Sequence, residues 1–232
     1  MSNRVVEIER HVGLSDVRPD GRMRLDAIAR VVQDVADRDA ATAEIEGMGV
    51  WILRRLALDI AHTPRFRADL TLRTSCTGTG ARWAERTTSI NYEGRSCIEA
   101  TALWVHTDPA SGAPIPLPKD FDRVWDGGER RVSARLQHAR PAADDRAVPW
   151  SLRATDLDVV GHVNNAAYWA PVEDELARRA RPRIERAEIE FRAGLDPDDE
   201  VQFTVSDRAD GFASWLLVDG DVRASMLIKC RA

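Results

Sequence analysis

The chain has 232 residues, 44% of them hydrophobic and 31% charged, with a formal net charge of −5. That length holds one large domain or two of about 100 to 120 residues, either with a real core, and the composition is that of a soluble globular protein. The acidic balance excludes a general attraction to nucleic acid or to an anionic membrane, no apolar run approaches the roughly 20 residues needed to span a bilayer, and Met1 to Glu7 show no secretory hydrophobic segment.

In chain order, Asp20-Gly21 precedes a helical pattern in which Leu25, Ile28, Val31, Val32, Val35 and Ala36 share one face. Alternating segments then predict strands over 50–61 (Trp51, Leu53, Leu56, Leu58, Ile60), 68–77 (Leu70, Leu72, Thr74, Cys76), 81–92 and 95–107, with turns at Gly78, Gly80 and Glu93-Gly94. Residues 109–149 are rich in Pro, Gly, Arg and Asp, the composition of a linker or a functional crossing. After an opening strand from Val148 to Arg153, a second helix is predicted over 164–180, although Pro171 lies inside it and should bend it near Ala167. Strands follow at 184–192, 199–207, 211–219 and 221–230, separated by Asp196-Pro197-Asp198, Asp210-Gly211 and Asp219-Gly220.

A helix followed by a meander of strands therefore occurs twice, and an internal duplication is the simplest account. Alternating strands ask for an antiparallel sheet with one apolar face packed on the long helix. This is an α+β protein, a tandem or double hot-dog in which each repeat is a helix wrapped by an antiparallel sheet. The expected division is 1–140 and 141–232, with the boundary near 140–147. Cys76, Cys97 and Cys230 are odd in number and form no CxxC pair, against a zinc ribbon or a disulfide framework and in favour of a reduced, cytoplasmic setting.

The segment Thr155-Asp156-Leu157-Asp158-Val159-Val160-Gly161-His162-Val163-Asn164-Asn165-Ala166-Ala167-Tyr168 carries the chemistry. It gathers carboxylates, an imidazole, amides and a phenol around one glycine where an extended segment meets a helix. Unpaired N–H groups and a partial positive charge belong to such a junction and suit a developing oxyanion. Acyl transfer is the first reading.

These residues, together with Trp51-Ile52-Leu53-Arg54-Arg55, Thr63-Pro64 and Trp104-Val105-His106-Thr107-Asp108, resemble the acyl-acyl-carrier-protein thioesterases of plants and bacteria, which are tandem hot-dog proteins. The resemblance runs over nearly the whole chain. It departs in two places: plant members have Asn where this chain has Val160, and their Glu-Cys pair falls on Gly194 and Leu195. Single hot-dog acyl-CoA thioesterases have an acidic residue three before a glycine at this junction, and Asp158-Val159-Val160-Gly161 has that spacing.

The resemblance makes Asp158 the chemical carboxylate, as general base on water or as nucleophile, against the alternative of a helix cap. His162 is either an oxyanion or proton partner or a structural histidine, and Asn164 is a cap that could also position substrate. The N–H groups of Gly161 to Val163, Gly161 and Val163 among them, are the oxyanion-hole candidates. Tyr168 and Trp169 are candidate walls for the acyl chain, and packing is the alternative for both. Aligning Gly21 with Gly161 sets Arg18, Arg22 and Arg24 against Asp158, His162 and Asn164, so the first repeat is expected to be scaffold. Arg178, Arg179, Arg181 and Arg183 form the densest basic run, either a favourable helix terminus or a dock for an acidic carrier.

The expected function is hydrolysis of an acyl thioester, releasing a fatty acid from acyl carrier protein in fatty acid biosynthesis. The rivals are an acyl-CoA thioesterase and a non-catalytic acyl-binding protein. No metal or organic cofactor, nucleic acid or membrane is implied, and the chain is expected as a monomer or a homodimer of tandem repeats.

Overall fold

A computed structural model describes residues 4–43, 45, 49–125, 133–142, 147–180 and 182–231. They fall into two compact units, one of residues up to 23 with 30–135, the other of 24–29 with 136 onward.

In the first unit, β1 (Val5–His11), β2 (Val50–Ile60), β3 (Asp69–Thr79), β4 (Trp83–Tyr92) and β5 (Arg95–Thr107) pair antiparallel in the order β1-β3-β4-β5-β2. The strand β1 is absent from the sequence reading. It lies at the edge, three of its seven residues (Glu7, Glu9 and Arg10) carry charge, and none of its side chains is fully buried, so its alternation is too short to register. The helix α1 (Leu25–Ala41) buries Leu25, Ile28, Val31, Val32 and Val35 as its periodicity predicts. Near its end the buried Asp39 accepts ion pairs from Arg4 and Arg86 and a 2.7 Å hydrogen bond from Trp125 Nε1. Trp125, just after the short α2 (Phe121–Val124), packs with Phe121, Cys76, Ala84 and Ala43. A buried carboxylate needs such partners, and these tie the helix end to β4 and to the chain leaving the unit.

The second unit repeats this plan. Its strands β6 (Ala147–Trp150), β7 (Ile184–Phe191), β8 (Val201–Arg208), β9 (Gly211–Val218) and β10 (Asp221–Cys230) pair antiparallel in the order β6-β8-β9-β10-β7. Each strand takes the place of its counterpart in the first unit, so the duplication is visible in topology as well as in sequence pattern. The helix predicted over 164–180 is shorter: a 3₁₀ turn over Ala167–Trp169 leads into α3 (Ala170–Arg178). Proline is the cause. Pro171 has no N–H for the carbonyl of Ala167, and the N–H of Ala170 takes that acceptor instead, which is a 3₁₀ bond.

Along β7, Ala187, Ile189 and Phe191 are buried on the side facing Tyr168, whose ring meets Phe191 edge-on at 5.1 Å. Glu188, Glu190 and Arg192 take the other face, as the strand period requires. There the linker lies down as a strap: Glu190 accepts the N–H groups of Gln137 (2.7 Å) and His138 (2.9 Å), and Arg192 and Trp215 donate to the carbonyls of His138 and Ala139 (both 2.8 Å). The boundary expected at 140 thus has residues of the second unit on both its sides. No helix among the described residues is long and apolar enough to cross a membrane.

Candidate active site

The loop before the second helix is closed at its base by Asp156. Its Oδ2 accepts the N–H of Arg153 (2.9 Å) and its carbonyl accepts the N–H of Asn164 (2.8 Å). Inside that base Leu157 and Val163 form an antiparallel bridge, the N–H of Asp158 donates to His162 O (2.8 Å), and that of Gly161 donates to Asp158 O (3.0 Å). So tight a turn needs a left-handed residue, and Gly161 supplies it at φ 84°.

Asp158 does not cap the helix. Its Oδ1 accepts from the N–H groups of Val160 (2.9 Å) and His162 (3.2 Å), within the turn itself. Its Oδ2 and the exposed ring of His162 have no hydrogen-bond partner among the described residues. The tip between them is open, with Val159 104% and Val160 73% exposed. A carboxylate held through one oxygen, with the other left for water on an exposed turn, is placed to bind and polarise water. An imidazole four residues on, on the same stiffened turn, is placed to donate a proton or a hydrogen bond.

The candidate oxyanion donors are less free than the sequence suggests. Gly161 and His162 donate within the turn, and Val163 donates to Leu195 O at a long 3.5 Å. The reason is tertiary: the turn closes on itself, and the chain following β7 runs beside it. Asn164 closes an Asx turn just ahead of the 3₁₀ turn rather than capping a helix, its Oδ1 accepting from Ala166 N–H (2.9 Å). Tyr168 and Trp169 are buried, at 3% and 0% exposure, so they touch an acyl chain only where that chain enters the interior. The phenol of Tyr168 accepts the N–H of Leu195 (2.8 Å), and burial pushes its pKa up to about 12, so it stays protonated.

Leu195 is the participant that sequence reasoning missed. Its backbone joins Tyr168 to Val163, a link of main-chain atoms with no side-chain signature. The one available signal is that the resemblance places the family's Glu-Cys pair at Gly194 and Leu195. A side chain at Gly194 would meet nothing within 4 Å.

The first repeat builds the same turn without the reactive groups. Arg18 N–H donates to Arg22 O and Gly21 N–H to Arg18 O (both 2.8 Å), Val17 bridges Met23, Asp16 Oδ2 accepts from Gly13 N–H (2.9 Å), and Gly21 stands at φ 78°. Arg22 pairs with Asp20 and Arg24 with Asp26 (both 2.8 Å), while Arg18 is buried.

Of the basic run, Arg179 is engaged by Glu175 and Asp207 and lies over the Phe212 ring at 4.6 Å. Arg178 pairs with Glu175 at 2.9 Å yet remains 62% exposed, and Arg183 is exposed. Arg181 lies outside the described residues.

Residues 5–124 match the acyl-ACP thioesterase N-terminal domain and residues 140–223 the C-terminal domain. The chain belongs to the acyl-ACP thioesterase family. It is a thioester hydrolase by that membership. Among solved structures, an acyl-ACP thioesterase from Bacteroides thetaiotaomicron superposes with a TM-score of 0.84 at 16% identity, covering 98% of both chains. A 12:0-ACP thioesterase from Umbellularia californica does so with a TM-score of 0.82 at 17% identity, covering 98% of this chain and 97% of that one. At such identities the likeness establishes the fold, the tandem hot-dog. An uncharacterized protein of Mycobacterium tuberculosis is 26% identical over 219 residues, 93% of this chain and 88% of its own length.

Proposed function

We propose that this thioesterase releases fatty acids from acyl carrier protein in the cytoplasm, and that Asp158 and His162 carry the chemistry. The supporting observation is the Asp158–His162 turn, which holds on one hydrogen-bonded loop a carboxylate oxygen and an exposed imidazole that have no hydrogen-bond partner among the described residues. Asp158 activates water against the thioester carbonyl or attacks it directly. His162 donates to the oxyanion, the role that falls to its ring because the N–H groups of Gly161, His162 and Val163 already have acceptors; Val163, on the long bond to Leu195, is the backbone donor with most to gain from a substrate oxygen. Asn164 fixes the turn that leads into the helix behind them. Tyr168 and Trp169 form the interior wall that an acyl chain would meet, and the first repeat serves as scaffold. Arg178, exposed despite its pair with Glu175, and the exposed Arg183 are the charges placed to meet an acidic carrier protein.

Turnover of the same acyl chain on acyl carrier protein, on coenzyme A and on a short uncharged thiol tests the proposal. Preference for the carrier-protein substrate in kcat/KM supports it. A preference for coenzyme A would make the chain an acyl-CoA thioesterase. Binding without turnover of any of the three would favour the non-catalytic reading, for which Val160 and Gly194, in place of the family's polar residues, are the relevant features.

A further inference from the structure

The outer face of the second unit's sheet carries an ionisable cluster that thioester hydrolysis does not use. Glu188 and Glu190 stand on β7 opposite the Ile189 and Phe191 face, and the strap brings His138 beside them. Its Nε2 is 3.4 Å from Glu188 Oε1 and its Nδ1 4.0 Å from Glu190 Oε2. One donor atom from each of the three residues lies within 4.8 Å of the others. The three side chains are 4%, 19% and 0% exposed, so His138 and Glu190 are shut off from bulk water and Glu188 is largely so.

We propose that His138, Glu188 and Glu190 bind a divalent transition metal, Zn²⁺ by its donor set, which clamps the inter-repeat strap to β7. Three observations carry this. First, Nδ1 lies 3.1 Å from the carbonyl of Ser225, which can only accept, so a proton on Nδ1 leaves a lone pair on Nε2. That nitrogen is buried without a hydrogen-bond partner among the described residues, with Glu188 Oε1 at 3.4 Å. A buried lone pair beside a carboxylate is stabilised by a cation. Second, two ligand atoms on one tetrahedral zinc with bonds near 2.1 Å stand about 3.4 Å apart, which is the separation of His138 Nε2 and Glu188 Oε1, and the Glu190 donor lies within 4.8 Å of the other two. Third, the surroundings are those of ligands. A metal-bound histidine donates its other N–H to a carbonyl or carboxylate, and bound carboxylates are themselves hydrogen-bonded. Each Glu190 oxygen takes one strap N–H and keeps a lone pair, and Arg186 holds Glu188 Oε2 at 2.8 Å. Imidazole nitrogen and carboxylate oxygen are both donors that zinc accepts.

The competing arrangement is a proton in place of the metal. Ser225 Oγ, also 3.1 Å from Nδ1, would donate to it, and Nε2–H would face Glu188. Titrating the chelator-stripped full chain with Co²⁺ separates the two. The metal site predicts one Co²⁺ per chain with the intense visible bands of tetrahedral coordination, displaced by one equivalent of Zn²⁺. Affinity should fall at least tenfold in His138→Ala and in Glu188→Gln, the latter keeping the ring and the shape of the site so that a folded variant is available. Absence of saturable one-to-one binding to the wild-type chain overturns the proposal. Binding to folded Glu188→Gln within twofold of wild type also overturns it, since the metal would then sit elsewhere.

Discussion

Asp158→Asn separates chemistry from folding at the candidate site. The amide oxygen of Asn keeps the geometry of Oδ1 and still accepts from Val160 and His162, now at 2.9 and 3.2 Å. What disappears is the charge on that acceptor. A hydrogen bond to a charged group contributes about 1.5–3 kcal/mol and a neutral one about 0.5–1.5, and on this exposed turn water shares both bonds, so the net cost should be about 1 kcal/mol. For a chain of 232 residues that corresponds to a fall of roughly 2–4 °C in Tm. Loss of a general base costs about 10² to 10⁴ in rate, or about 2.7 to 5.4 kcal/mol of barrier. The two effects differ enough to be read independently, Tm by calorimetry and kcat by thiol release from an acyl thioester. A folded Asp158→Asn enzyme with kcat within threefold of wild type would remove Asp158 from the chemistry and leave it as the anchor of a turn.

His162→Ala should lower kcat less than Asp158→Asn and leave Tm unchanged, since the ring holds nothing in place; the reverse order of kcat losses would exchange the two roles. Tyr168→Phe strands the buried N–H of Leu195, now 2.8 Å from the phenol, at a cost of about 1–3 kcal/mol, visible as a lower urea midpoint; an unchanged midpoint would mean that this link does not hold the loop. Reversing Arg178 and Arg183 to Glu together should raise KM for an acyl-carrier-protein substrate, most at low salt because screening acts over about 8 Å at 0.15 M, and should spare a short uncharged thioester; equal effects on both substrates would indicate damage to the fold. Val160→Asn with Gly194→Glu introduces polar groups where there is open space, Val160 being 73% exposed and Gly194 having no neighbour within 4 Å of a new Cβ. The double variant should fold normally and raise kcat several-fold, and an unchanged kcat would show that this branch has no use for them.

What the sequence determines by itself is local. The sequence places α1 and every described strand but β1, mostly by hydrophobic period, because burial of one face writes itself into neighbouring residues. The duplication and the Asp158–His162 turn are equally legible, since their spacing, the glycine and the side chains that close the turn all lie within a few residues. Proline at 171 is enough to foresee trouble in the second helix, though not that the remedy is a 3₁₀ turn. Other features depend on residues far apart in the chain. The edge strand β1 is held by pairing to β3 rather than by its own pattern. The N–H of Val163 and the phenol of Tyr168 are taken by Leu195, and Arg179 is taken by Asp207, so the expected oxyanion donors and the expected basic dock are both smaller than their sequence promises. Nothing local announces that Glu190 and His138 meet on the outer face of β7. A hydrogen bond constrains two groups whatever their separation along the chain, and only the folded sheet decides which ones it brings within reach.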